Sequence, residues 1–311
     1  NVEEVVKLLQ NPYININWKS FWIACQKGQT EIVKLLLNDE RAHLNQVKCD
    51  YNSGSDEDED NDANGRTPLW VACKNGHTEV VRLLINDKRV TGDNKGNNEG
   101  VTPFYIACQN GHIEIVKLLL NEGERIGVNI VDYDGVTPFY VVCCCGHIEI
   151  VKMLLNDKRV NINKPNTYGW DSGATPLWVA CKKGHIEIVK LLINDKRVDR
   201  DINKEDDFGQ TPFYIACKKG HIEIVKLLLN EGERIDINKE GRKYGSDNFY
   251  QTPLYIACKK GHIEIVELLL NDKRVDVNKT NKYGRTPCLI ACQNDHFIIG
   301  NRKRSQFKCK R

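Results

Sequence analysis

The chain has 311 residues, of which 45 are Lys or Arg and 42 are Asp or Glu, so its formal net charge is only +3. This balance argues against nucleic-acid binding by the protein as a whole. Hydrophobic residues make up 41% of the sequence, but no apolar run approaches the roughly 18 residues of a membrane span.

One phrase recurs along the chain and starts each time with Thr-Pro. The spacing between successive Thr-Pro pairs is 34 to 41 residues, which predicts a solenoid of stacked repeats. A degenerate copy places Lys19 and Ser20 where the others have Thr-Pro, and residues 1–17 match the second half of a still earlier repeat. The complete pairs begin at Thr67, Thr102, Thr137, Thr175, Thr211, Thr252 and Thr286.

Each repeat predicts two short helices and a turn. Thr caps the first helix, Pro fits its first turn, and a Gly such as Gly111 ends it in the left-handed conformation. The second helix follows a Gly-His pair, and in residues 113–121 its apolar side chains recur every three or four positions. The rest of the repeat, as in residues 201–210, is polar and predicts a projecting turn.

With these motifs the chain resembles the ankyrin-repeat family, whose repeat is a turn plus two helices with the pattern T-P-L-H-x-A. The resemblance covers about residues 1–299. It implies an all-α solenoid of helix-turn-helix units joined by projecting β-turn or hairpin loops, with seven complete repeats between two half-repeats. Aromatic residues or Leu replace the family's His, so we expect contacts between repeats to be more aromatic and less polar there. These residues are Trp22, Trp70, Tyr105, Tyr140, Trp178, Tyr214, Tyr255 and Leu289.

The cysteine pattern indicates a reduced compartment and no catalysis. Eight of the thirteen cysteines occupy one position of the first helix, where a small buried side chain is expected, and repeats about 10 Å apart are beyond disulfide reach. Cys-x-x-x-His also suits zinc or a nucleophile, but the repeats supply no further ligand, so we expect no metal, cofactor or enzymatic activity. The cluster Cys143, Cys144, Cys145 and His147 has two interpretations: a reactive or metal-binding thiol, or two exposed cysteines without a function. The shared position holds Cys25, Cys73, Cys108, Cys143, Cys181, Cys217, Cys258 and Cys292.

Two charged segments interrupt the repeats. Residues 49–64 carry six carboxylates between Asp56 and Asp62, which predicts a disordered acidic insertion, with Ser55 as a candidate phosphorylation site. Residues 300–311 carry six basic residues and predict a basic tail. Both segments are simply solvated in the plainest interpretation. For the basic tail, the alternatives are a nuclear-import signal and a patch that binds an anionic surface. The expected location is cytoplasmic, with the nucleus as the alternative. We also expect frayed ends, as in a fragment of a longer array.

The predicted function is binding of another protein by a monomeric array through the concave face of the repeat stack, and the candidate site lies in the C-terminal half. Lysine pairs recur before the Gly-His turns, and large aromatic residues occupy the neighbouring turns, so an acidic partner is expected. The alternatives are solvated lysines with aromatics packed on their own turns, occupation by the chain's own acidic insertion, and a targeting segment of a larger, even enzymatic, protein. The lysines are Lys182, Lys183, Lys218, Lys219, Lys259 and Lys260, and the aromatics are Tyr168, Trp170, Phe208, Tyr244, Phe249 and Tyr250.

Overall fold

The computed structural model describes residues 2–11, 13–14, 16–42, 44–46, 65–90, 94–169, 171–198, 200–241 and 250–294. The predicted acidic insertion with Ser55, the basic tail, Trp170, Tyr244 and Phe249 lie outside the described residues. The chain forms two compact units, Asn1–Asn161 and Ile162–Arg311.

The described residues form α-helices and short 3₁₀ turns, and their one β-type pairing is an isolated antiparallel bridge between Gly241 and Gln251. The all-α prediction is therefore confirmed. The first unit contains α1 (Val2–Leu9), α2 (Trp18–Gln26), α3 (Thr30–Leu37), α4 (Pro68–Lys74), α5 (Thr78–Asn86), α6 (Pro103–Gln109), α7 (Ile113–Asn121), α8 (Pro138–Cys145) and α9 (Ile148–Asn156). The second contains α10 (Pro176–Lys183), α11 (Ile186–Ile193), α12 (Pro212–Lys219), α13 (Ile222–Leu229), α14 (Pro253–Lys260), α15 (Ile263–Asn271) and α16 (Pro287–Gln293).

Each unit is a double layer of helices. In the first unit α2, α4, α6 and α8 pack in succession, and α1, α3, α5, α7 and α9 form the second layer. In the second unit α10, α12, α14 and α16 form one layer and α11, α13 and α15 the other. This is the stacking expected when each repeat contacts only its neighbours.

The predicted caps are present. The Thr211 hydroxyl accepts a hydrogen bond from the Tyr214 backbone N–H at 3.1 Å, and the other six Thr-Pro helices have the same bond. The degenerate repeat differs from prediction, because α2 begins at Trp18 and Asn17 caps it through a 3.1 Å bond from the Ser20 N–H. Lys19 has no acceptor to offer the backbone, so the cap moves to the preceding Asn.

The buried position predicted for cysteine is confirmed for seven of the eight residues. Cys217, for example, is fully buried in α12, against which α13 packs. Cys292 is exposed, so the prediction is wrong there. It lies in α16, the one first helix of the described chain that has no second helix packed behind it.

Glycine and histidine interlock between successive repeats. Gly184 ends α10 with φ +85°, and a Cβ on it would lie 2.8 Å from the His221 ring of the next repeat. The His221 Nε2 lies 3.0 Å from the Lys182 carbonyl oxygen and donates to it, because a carbonyl only accepts. The same pairing joins Gly28 to His77, Gly76 to His112, Gly111 to His147 and Gly220 to His262.

Arginines close the exposed ends of the second helices. Arg274 is held by the Asp272 carboxylate at 2.6 Å and donates to the carbonyls of Leu229 and Gly232 in the preceding repeat. The Arg274 guanidinium lowers the pKa of Asp272. The Asn-Asp-Lys-Arg sequence that contains Arg274 does not by itself predict this contact. Arg41, Arg89, Arg125, Arg159 and Arg234 likewise donate to carbonyls of the preceding repeat.

The aromatic side chains that replace the family's His still make polar contacts. Trp178 donates from Nε1 to the Gln210 carbonyl at 2.8 Å, and the Tyr105 hydroxyl lies 2.9 Å from the Asp132 carboxylate. Trp22 and Trp70 also donate from Nε1 to a backbone carbonyl, as Trp178 does. The expectation of less polar contacts is therefore wrong, because indole N–H and phenol O–H groups need partners when buried.

We predict that Gly184→Ala destabilises the protein more than Gly232→Ala does. Both glycines have positive φ, which costs a residue with a Cβ about 1–2 kcal/mol. Only Gly184 faces a neighbour, since nothing lies within 4 Å of a Cβ at Gly232. Displacing His221 adds about 1–3 kcal/mol. Urea denaturation of both variants measures the difference, and equal midpoints would contradict the interlock.

Candidate binding surface

The lysine pairs stand at the C-terminal ends of α10, α12 and α14. These first helices pack against one another in succession within the second unit. The three pairs therefore occupy equivalent places on adjacent helices, as the sequence predicts.

The first lysine of each pair is half-buried and engaged within the protein. Lys182 bonds the Asp171 carboxylate at 2.6 Å and lies 5.3 Å from the centre of the Trp178 ring. Lys218 donates to the Gln210 side-chain oxygen at 2.6 Å. Asp171 and Gln210 belong to the turns that precede α10 and α12, so these bonds place the turns on the lysine side of the helices.

The second lysine of each pair is exposed. Lys183, Lys219 and Lys260, which we name the lysine row, make no hydrogen bond or ion pair with any described residue. Lysines on the second helices differ, because Lys190 and Lys226 bond Glu187 and Glu223 at 2.6 and 2.7 Å. The lysine row is thus a set of cations without a counter-charge among the described residues.

The turns beside the row carry one described aromatic residue each. Tyr168 and Tyr250 are 64% and 41% exposed, whereas Phe208 is half-buried. Tyr283 is 48% exposed, with the Lys282 ammonium 4.6 Å from its ring centre. Sequence reasoning missed Tyr283, although it precedes Gly284 as Phe208 precedes Gly209. We name Tyr168, Phe208, Tyr250 and Tyr283 the turn aromatics.

Carboxylates of the same turns are mostly engaged by neighbouring residues. Glu205 bonds Lys239 at 2.8 Å and Glu240 bonds Lys279 at 3.1 Å. Asp171 bonds Lys182, and Asp207 accepts a hydrogen bond from the Ser172 hydroxyl. Asp171, Glu205 and Glu240 are thus paired with other lysines, whereas Asp207 keeps its negative charge.

Comparison with known proteins identifies the family. The family model described as "Ankyrin repeats (3 copies)" matches residues 1–91, 23–132, 91–166, 124–204, 158–241 and 237–300. The chain belongs to the ankyrin-repeat family. The crystal structure of the human ASB11 ankyrin repeat domain is similar, with a TM-score of 0.59 and 27% sequence identity over 73% of this chain and 92% of that chain. No curated protein matches.

Repeats of this kind are protein-interaction modules, and no three His, Cys, Asp or Glu side chains of the described chain come together as a metal site would require. No described helix has the length and apolarity to cross a membrane.

The side chains of Cys143, Cys144, Cys145 and His147 do not come together in one site. Cys143 is fully buried, Cys144 is half-buried and Cys145 is exposed, so the expectation of two exposed thiols holds for Cys145 alone. Burial raises the pKa of the Cys143 thiol well above its usual value. His147 points elsewhere, with Nε2 2.9 Å from the Gln109 carbonyl oxygen.

Asp206 is a buried carboxylate beneath the lysine row. It accepts hydrogen bonds from the N–H groups of Phe208 and Gln210 at 3.0 and 2.7 Å and from the Gln210 side chain at 2.8 Å. Burial raises the pKa of Asp206 to about 6, although these bonds and the nearby Lys218 oppose the rise. Asn97, Asn166 and Asn281 accept equivalent backbone bonds in other turns.

We predict that wild type gains stability relative to Asp206→Asn as the pH falls from 7 to 5. The pKa of Asp206 is higher in the folded state than the value near 3.9 of an unfolded chain, so the folded state binds the proton first. Its contribution is present at low pH and is lost as the pH rises through about 6. The relative gain is about 1 kcal/mol. Urea midpoints at both pH values measure it, and parallel profiles would contradict it.

We predict that Cys217→Ser destabilises the protein by about 1–3 kcal/mol, because a hydroxyl is left in an apolar environment. The control Cys145→Ser changes stability by less than about 0.5 kcal/mol, since Cys145 is exposed. Iodoacetamide labelling followed by mass spectrometry should modify Cys145 and Cys292 quickly and Cys217 only after unfolding. Equal labelling rates would show that the buried position is wrongly assigned.

Proposed function

We propose that the second unit binds an acidic protein surface through the lysine row and the turn aromatics. The observation that carries this proposal is the contrast within each lysine pair. Lys182 and Lys218 bond their own turns, while Lys183, Lys219 and Lys260 extend from the same helix ends and bond no described residue. Three cations on adjacent helices attract a negatively charged partner, and exposed tyrosines are suited to anchor it.

The predicted roles of the site residues change accordingly. Lys182 and Lys218 bond residues of the turns before α10 and α12, so they position these turns, and Lys259 is likewise half-buried and engaged. Lys183, Lys219 and Lys260 contact the partner. Tyr168 and Tyr250 keep their proposed role as anchors, and Tyr283 joins them. Phe208, being half-buried, contributes more to its own turn.

The compartment and the oligomeric state are part of the proposal. No disulfide joins the described cysteines, and burial raises the pKa of the Cys181 and Cys217 thiols, which fits a reduced cytoplasmic protein. We propose that it acts as a monomer. As a recruiting segment of a larger protein, it would use the same surface.

We predict that the triple variant Lys183→Glu, Lys219→Glu, Lys260→Glu binds a fluorescent polyglutamate peptide at least about tenfold more weakly than wild type, a change of about 1.4 kcal/mol. The affinity of wild type should fall as salt is added, because exposed charges are screened. Fluorescence anisotropy at two salt concentrations, with the full chain, gives both quantities.

The matched control reverses the charge of Lys196, Lys226 and Lys273, which belong to or follow the second helices and are exposed. Both triple variants change the net charge equally. If both lose binding equally, net charge and not the lysine row attracts the peptide. If wild type does not bind the peptide at all, the proposal fails.

A further inference from the structure

The lysines of the row recur at the spacing of adjacent helices, and this spacing restricts the conformation of a partner that contacts all three. One lysine of the row stands at the end of each of three helices that pack side by side. Packed helices lie about 8–10 Å apart. The helix ends that carry the lysines therefore repeat across the surface at about that interval. A partner that meets all three must present carboxylates on one of its faces at the same interval.

Chain conformations differ in the intervals that they allow. In a β-strand, side chains on one face are about 6.7 Å or about 13 Å apart, and neither value fits. A polyproline II helix rises about 3.1 Å per residue with three residues per turn, so every third side chain lies on one face at intervals of about 9.3 Å. In an α-helix, every seventh residue lies on one face at about 10.5 Å, which is the competing solution.

The turn aromatics favour the polyproline II solution. At least one aromatic residue occurs in each of the turns before α10, α12, α14 and α16, so aromatic side chains recur from repeat to repeat next to the lysine row. The bonds from Lys182 to Asp171 and from Lys218 to Gln210 hold the turns against the lysine side of the helices. Proline-rich segments in the polyproline II conformation dock on aromatic side chains.

We infer that the partner segment is a polyproline II helix with an acidic residue at every third position and prolines between, lying across α10, α12 and α14. Its carboxylates contact Lys183, Lys219 and Lys260. Its prolines pack on Tyr168 and Tyr283, which are exposed at either side of the row. This inference rests on the proposed function and adds the spacing and conformation of the ligand.

The test compares three synthetic peptides of equal net charge with the full-length chain. The first repeats Glu-Pro-Pro four times. The second has the same composition with its four glutamates contiguous. The third is an alanine-rich helix with glutamates at every seventh position. We expect the first peptide to bind at least about fivefold more tightly than either of the others, and the lysine-row triple variant to abolish the difference.

Aromatic variants provide a second readout. The double variant Tyr168→Ala, Tyr283→Ala should weaken binding of the Glu-Pro-Pro peptide at least about threefold. Its control is Tyr133→Ala in the first unit, where an equally accessible tyrosine, 72% exposed, stands apart from the lysine row in sequence. That control should bind as wild type does.

The outcomes separate the two proposals. Equal binding of the first two peptides, or tighter binding of the helical peptide, overturns the polyproline II inference and leaves the acidic-partner proposal standing. An unchanged affinity in the double tyrosine variant also overturns the inference. If the lysine-row variant binds all three peptides as wild type does, the proposed function itself fails.

Discussion

The constraint on which the rest of the structure depends is the closing of helix ends by the next repeat. Helices of seven to nine residues are too short to be stable alone, and the last carbonyls of each have no partner within the helix. His221 supplies a donor to the end of α10, and Arg274 supplies two to the end of α13. Each repeat therefore needs its successor for hydrogen bonding as well as for burial of its apolar side chains.

This dependence explains the most regular features of the sequence. The Gly of each Gly-His pair turns the chain and also leaves room for the His of the following repeat. The Asn that opens a turn works in the same way, because Asn238 donates to the Arg274 carbonyl at 2.7 Å and accepts from the Asp276 N–H at 2.8 Å. Such nearest-neighbour contacts make the stability of an array a sum over its interfaces.

Whether a contact could be predicted from the sequence depends on how far apart its two residues lie along the chain. Caps such as Thr211 act on a residue three positions away, so their residue types reveal them directly. The contact from Arg274 to Leu229 spans 45 residues, and no local sequence pattern predicts it. The candidate site divides similarly. Its position on α10, α12 and α14 follows from the repeat, but the engagement of Lys182 and Lys218 depends on turns whose sequences differ between repeats.

The second residue of each lysine pair makes fewer internal contacts than the Asn found at the same position in other repeats. In three other repeats this position holds Asn75, Asn110 or Asn294, and each amide donates to the end of the preceding first helix at 2.8 to 3.1 Å; the remaining two hold Lys27 and Cys145. Lys183, Lys219 and Lys260 give up that bond, and the His of the same repeat alone closes the preceding helix in the last two cases. Folding therefore does not require a charge at these places. Lys183, Lys219 and Lys260 instead leave three exposed cations on adjacent helices without a hydrogen bond or ion pair to any described residue.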